Sequence, residues 1–270
     1  MAYSQDIHLR SRKRSNDHYS LVLDAAQSVT EICSEHGLPC AVFGSLAARL
    51  YGNSRCPNDV DMLVSEDLNA SSISPPRKYP RTAEDIKDLI VRSDSYHFYL
   101  KASRKPFADY RILWYRQYYR GPECKVDIVV PGTMHLPHLP RHRSPDETTE
   151  YFIPVVPFSL LLTHKLQAWV DHRVAQDLYH RQKQHKDAQD VRILLTIAQA
   201  LVKWTACIHC VWNDEELFSK EFQILTNLRV RIYCRAFPHL ATVWRNIGMD
   251  VEIRLANFMK LELEYKELYN

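Results

Sequence analysis

Between Ala41 and Ser65 the chain reads AVFGSLAARLYGNSRCPNDVDMLVS, and few folds accommodate that order of residues. Ala41 to Phe43 is apolar and suits the end of a buried strand. Gly44 and Ser45 make a turn. Leu46 to Tyr51 has helical composition and closes at Gly52, a C-cap signal. Asp59-Val60-Asp61 then opens a second apolar run, Met62-Leu63-Val64. The order is strand, turn, short helix, strand, with acids at the entrance to the second strand.

Residues two apart in a strand point to the same face. Asp59 and Asp61 therefore project side by side, and Val60 and Met62 face the core. Two adjacent carboxylates repel unless a cation sits between them. Oxygen-only ligands suit Mg²⁺ or Mn²⁺ rather than zinc. Gly44 and Ser45 offer backbone N–H groups and a hydroxyl to a phosphate. Chance coincidence of a Gly-Ser turn with an Asp-x-Asp pair is the plain alternative.

Further along, Thr82-Ala-Glu-Asp opens a helix to about Arg92. Tyr96–Lys101, Tyr110–Tyr115 and Lys125–Val130 read as strands, with Gly121-Pro122 turning between the last two. The third of these carries Asp127 within Val126-Asp-Ile-Val-Val. An Asp inside an apolar strand is costly to bury unless paired or metal-bound; a turn-making Asp at a strand end is the alternative. Before the first strand, Leu21, Leu23, Ala26, Val29, Ile32 and Cys33 predict an amphipathic helix from Asp17 to Gly37.

From Pro157 the apolar period becomes helical, through Phe158, Leu161, Leu162, Leu166, Trp169 and Val170. Lys165 falls inside that stretch. A polar segment, Asp171–His185, is expected to join it to a helix carrying Asp187, Asp190 and Ile193–Leu195. Residues 202–270 read as helical, with breaks near Asn213-Asp214 and Pro238-His239, and Trp204, Trp212 and Trp244 as core or groove walls. The expected fold class is α/β, or α+β: a small mixed sheet flanked by helices in residues 1–156, then a helical domain in 157–270.

Gly44-Ser45, a short helix and Asp59-Val60-Asp61 resemble the signature of the nucleotidyltransferase superfamily, the fold class of DNA polymerase beta. Tyr51-Gly52-Asn53-Ser54-Arg55 before the Asp pair looks more narrowly like its AbiEii/MenT-type branch. The resemblance covers roughly residues 38–196. It implies a third metal-sharing acid on an adjacent strand, the place Asp127 fits. It implies a Lys-Leu-x-Ala helix followed by a basic-Asp-x-x-Asp helix, which Lys165 and Asp187 match. Lys165 would then neutralise an NTP's triphosphate, with Asp187 holding Lys165, unless the two form only an interhelical salt bridge. The activity implied is Mg²⁺- or Mn²⁺-dependent transfer of a nucleoside monophosphate from an NTP, held by Gly44, Ser45 and Lys165, to a hydroxyl. The acceptor would be an RNA end (tRNA-like), a protein or a small molecule. A catalytically inactive, regulatory or binding protein of the same fold is the alternative. Cys56-Pro57-Asn58 departs from the branch's usual small polar residue before the Asp pair.

Composition narrows the remaining classes. A net charge of +3 excludes a wholly basic nucleic-acid-coating protein. With only six Gly and no GxxxxGK[ST], a P-loop is excluded. No run is long and apolar enough for a bilayer, and the N-terminus lacks a signal-peptide core, so an intracellular place, cytoplasmic or nuclear, is expected. The seven scattered Cys read as reduced thiols. Cys207 and Cys210 form a lone CxxC in an apolar helix and read as core. Arg10–Arg14 is a basic run that suits a frayed terminus, an import signal or a polyanion contact. Residues 65–80 and 131–149 read as loops; the latter's His residues could also bind zinc or RNA.

Overall fold

The computed structural model describes residues 2–66, 79–104, 107–139, 152–204 and 215–251. The chain divides into two compact units: Met1–Leu50 with Ser54–Val156, and Tyr51–Asn53 with Pro157–Asn270.

The first unit is built on a five-stranded mixed sheet. Its strands are β1 (Cys40–Phe43), β2 (Val60–Val64), β3 (Phe98–Ala102), β4 (Arg111–Arg116) and β5 (Glu123–Val129), in the order β1-β2-β5-β4-β3. β2 and β5 are parallel, and every other neighbouring pair is antiparallel. A parallel pair needs a long crossover. Here the chain leaves β2, passes through helix α3 (Ala83–Ser93), β3 and β4, and returns as β5. Thr82 caps α3 reciprocally with Asp85. Beyond β1, Val155 bridges Val42, with Val42 N–H donating to Pro154 O at 2.7 Å.

Alternation gives the sheet two unlike faces. Val60, Met62 and Val64 of β2, Val126 and Ile128 of β5, Leu113 and Tyr115 of β4 and Phe98 of β3 are buried. Helices α1 (Ala2–Glu35) and α3 pack on the sheet and on each other, and Cys124 Sγ meets Leu21 O of α1 at 4.0 Å. α1 contributes Leu21, Val22, Ala25, Ala26, Val29 and Cys33 to this core. Fully burying an aliphatic side chain stabilises by about 1.5–3 kcal/mol, so this face is a major part of the unit's core. The opposite face carries Asp61 and Asp127.

The second unit is helical: α4 (Phe158–Val174), α5 (Leu178–Trp204), α6 (Lys220–Ala236) and α7 (Ala241–Asn246). Trp169 of α4 meets Tyr233 edge-on, with ring centroids 4.8 Å apart, and Trp244 is fully buried. No helix among the described residues is long and apolar enough to cross a membrane.

The α/β class and the helical second half match the expectation from sequence. Three local expectations need correction. α1 begins at Ala2, so Arg10–Arg14 lies within a helix and not in a frayed terminus. The polar segment 171–185 is helical apart from residues 175–177. Asp177 closes that gap by accepting from Tyr179 N–H at 2.8 Å, an N-cap bond. In the 131–149 stretch, Thr133–His135 forms a single 3₁₀ turn. Cys207 and Cys210, Trp212, most of the 65–80 stretch and residues 140–149 lie outside the described residues, as does Trp204's side chain.

Candidate active site

Asp61 and Asp127 are direct partners across the parallel β2–β5 pair, so both carboxylates stand on the same face. Asp59 precedes β2 by one residue and is half-buried, as the other two are. The turn that delivers it, Cys56-Pro57-Asn58, is tied to α1: His18 Nε2 lies 3.1 Å from Asn58 O. Of the three acids expected from sequence, Asp61 and Asp127 stand side by side and Asp59 lies just before β2.

Lys125 completes the group and was not expected. It lies two residues before Asp127 on β5, so its side chain shares that face, and its ammonium is ion-paired with Asp127 Oδ2. Partial burial depresses the Lys125 pKa. The hydrogen bond to Asp127, and the fields of Asp127, Asp59 and Asp61, more than offset that and leave it above its usual value. Buried Cys124 behind them has its thiol pushed up to about 12, by desolvation first and then by Asp59, Asp24 and Glu123. The Lys-x-Asp spacing in a strand was the available signal for Lys125.

Gly44 opens α2 (Gly44–Leu50) at φ +65°, where only glycine is unstrained. A Cβ built there would overlap the Asp61 carboxylate. The glycine is therefore required twice, once by its backbone and once by the acid packed on it. Ser45, next to it, is buried. Gly44→Ala is expected to cost about 1–2 kcal/mol through the left-handed backbone alone and to push Asp61 out of register with Asp127. A thermal melt of the variant checks this; a melting temperature equal to wild type would overturn it.

A divalent ion matches these donors in type, since all are carboxylate oxygens. Their present arrangement is less favourable. Among the described residues, no group of three or more His, Cys, Asp or Glu side chains is placed to hold a metal ion, and Lys125 is seated on Asp127. An ion shared by Asp61 and Asp127 would have to displace that ammonium.

In the second unit, Lys165 and Asp187 do not pair. Lys165 Nζ lies 3.0 Å from Asp190 Oδ2. Asn53 Nδ2 donates to the other oxygen, Asp190 Oδ1, at 3.1 Å. Asp190 is 1% exposed, and Asn53 is equally buried. Asp187 instead meets His172 Nδ1 at 2.6 Å. Asn53 belongs to the Tyr51–Asn53 segment of this unit, where Tyr51 also meets Phe158 edge-on at 5.1 Å. Asn53 and Asp190 are the residues that sequence reasoning undervalued here.

No protein-family model and no curated protein matches the chain. Among solved structures it is similar to the crystal structure of an antigenic nucleotidyltransferase-like protein from Paracoccidioides brasiliensis. The TM-score is 0.52, covering 86% of this chain and 93% of that one, at 13% sequence identity. Likeness at that identity is a likeness of fold. The five-stranded mixed sheet, the helical second half and this neighbour agree: the chain has a nucleotidyltransferase-like fold.

Proposed function

We propose that the protein transfers a nucleoside monophosphate from an NTP to a hydroxyl acceptor and releases pyrophosphate. The observation that carries this is the Asp61–Asp127 pair in register on adjacent parallel strands, with Gly44 packed against Asp61. The acceptor oxygen attacks the α-phosphorus, the bond to the bridging oxygen of pyrophosphate breaks, and a carboxylate of the group receives the hydroxyl proton. Asp59, Asp61 and Asp127 would hold Mg²⁺ or Mn²⁺, which when bound supplies charge neutralisation at the attacking and leaving oxygens. Gly44 and Ser45 approach a phosphate through backbone N–H and hydroxyl. Contact of Lys165 with the triphosphate would exchange the Asp190 carboxylate for a phosphate oxygen. The narrower likeness to AbiEii/MenT-type enzymes rests on Tyr51–Arg55, Asp59–Asp61, Lys165 and Asp187.

Incubation with each labelled NTP, Mg²⁺ or Mn²⁺, and total RNA or lysate tests the proposal. A labelled product that requires Asp61 supports it. Absence of any labelled product with all four NTPs overturns it in favour of a non-catalytic binding protein of this fold. That second reading draws on one observation, the Lys125 ammonium already occupying Asp127.

Lys125 also yields a direct test of metal binding. Replacing it with Met removes the competing cation and leaves its apolar stem. Lys125→Met is expected to bind Mn²⁺ several-fold more tightly than wild type, measured by titration calorimetry without nucleotide. Unchanged or weaker Mn²⁺ binding would show that the ammonium does not compete for these carboxylates.

A further inference from the structure

The face that carries Asp61 and Asp127 does not end at β5. Lys125 is the register partner of Trp114 on β4, and Trp114 is the partner of Tyr99 on β3. Partners across antiparallel strands share a face. Lys101 lies two residues beyond Tyr99, and Arg116 two beyond Trp114, so both join it. The result is a patch of alternating rings and cations. Lys101 Nζ is 4.2 Å from the Trp114 ring centre and 5.1 Å from that of Tyr99. The Arg116 guanidinium is 5.3 Å from Tyr99 and 5.5 Å from Tyr119, and that of Arg120 is 5.4 Å from Tyr119.

Charge on this patch is unevenly spent. Glu123 takes Lys101 at 2.9 Å and the Tyr99 hydroxyl. Arg116 donates to carbonyl oxygens, Tyr96 O at 2.6 Å and Ser95 O at 3.4 Å. Neither Arg116 nor Arg120 meets a carboxylate among the described residues. Tyr119 is 63% exposed, and Tyr96 and Tyr118 are exposed as well. Tyr119 is thus an exposed ring with two guanidiniums over it, neither of them paired with an acid among the described residues.

We propose that this patch binds single-stranded nucleic acid, with bases stacking on Tyr119 and the Tyr99–Trp114 row and phosphates on Arg116 and Arg120. Unpaired bases expose both π-faces to such rings, which a duplex does not. Neighbouring strands are about 4.8 Å apart, so two strand steps take the row from Tyr99 to Lys125, which touches Asp127. A strand lying along the row brings its end toward the carboxylates. Service of the patch as the acceptor's seat rests on the nucleotidyl-transfer reading; the binding itself does not, since it needs neither NTP nor metal.

The test is fluorescence anisotropy of a labelled 12-nucleotide single-stranded RNA with the full chain, in EDTA and without NTP. Binding that weakens with salt is expected. Arg116→Gln with Arg120→Gln should lower affinity at least tenfold, and Tyr119→Ala about tenfold, within the range for one lost stacking contact. Tyr119 and Arg120 are exposed, and unchanged circular-dichroism melts for their variants keep the comparison clean. The proposal is overturned by no binding, by variants that bind as wild type does, or by duplex RNA or a mononucleotide competing as well as the single strand. It is also overturned if heparin binds equally well and Tyr119→Ala has no effect, the mark of a generic polyanion site. Failure here leaves the labelled-NTP assay untouched, and a negative NTP assay leaves the binding result standing.

Discussion

Asp61→Asn is expected to abolish nucleotidyl transfer while leaving the fold intact. Asp61 is the register partner of Asp127 and is packed on Gly44, so it lies at the centre of the proposed site. Asn keeps its volume and one acceptor oxygen but removes the charge a divalent ion or a migrating proton requires. Loss of an outer-shell partner of a metal costs about 10–100-fold, and a direct ligand should exceed the upper end of that range. Stability should hold or rise, because one of three clustered carboxylates is neutralised and Lys125 retains Asp127 as its partner. The measurement is labelled-product formation per mole of folded protein, beside a melting curve. Wild-type turnover in Asp61→Asn would remove the carboxylates from the mechanism. Lost turnover accompanied by a collapsed melt would show only that Asp61 supports the sheet.

How far the sequence reveals this site depends on the range of each contact. Asp59-Val60-Asp61 is legible because strand alternation fixes the direction of side chains two apart. Gly44 is legible as a turn, but its packing against Asp61 belongs to the β1–β2 pairing, in which Phe43 faces Asp61. Asp127 is legible as an acid in an apolar strand, while its alignment with Asp61 follows from an order, β2 beside β5, that no local pattern specifies. Lys125 could have been read from its spacing to Asp127, but a Lys in a strand ordinarily signals solvent. The 171–185 segment looked like a linker because it is polar on every side. It is helical because α4 continues through Val174 and Asp177 restarts the chain as α5, which packs on α4, and tertiary packing supplies most helix stability. The family resemblance assigns Asp187 to Lys165. The packing of α4 on α5 separates them, giving Asp190 to Lys165 and Asp187 to His172.

That separation sets the largest stability effect expected in the molecule. Lys165, Asp190 and Asn53 form one buried group, and both Asp190 oxygens are occupied. Asp190→Ala leaves the Lys165 ammonium buried without its counter-charge and Asn53 Nδ2 without its acceptor. Breaking a buried pair from one side costs about 3–5 kcal/mol, which lowers the melting temperature by on the order of 10 °C in a domain of this size. Asp187→Ala breaks only the His172 contact, where the histidine side chain is 24% exposed, and water can replace the lost partner. Its melt should shift by a small fraction of that amount. The double variant Lys165→Met with Asp190→Leu supplies the control: removing both charges should recover much of the stability, because the penalty lies in the orphaned ion rather than in the missing bond. Thermal melts of the three variants decide the matter. Equal shifts for Asp187→Ala and Asp190→Ala would mean that the Lys165–Asp190–Asn53 group is not what braces α4 on α5. A double variant as unstable as Asp190→Ala would place the cost in lost packing. If the double variant is stable, its rate in the labelled-NTP assay also shows whether the Lys165 ammonium serves the triphosphate or only the helices.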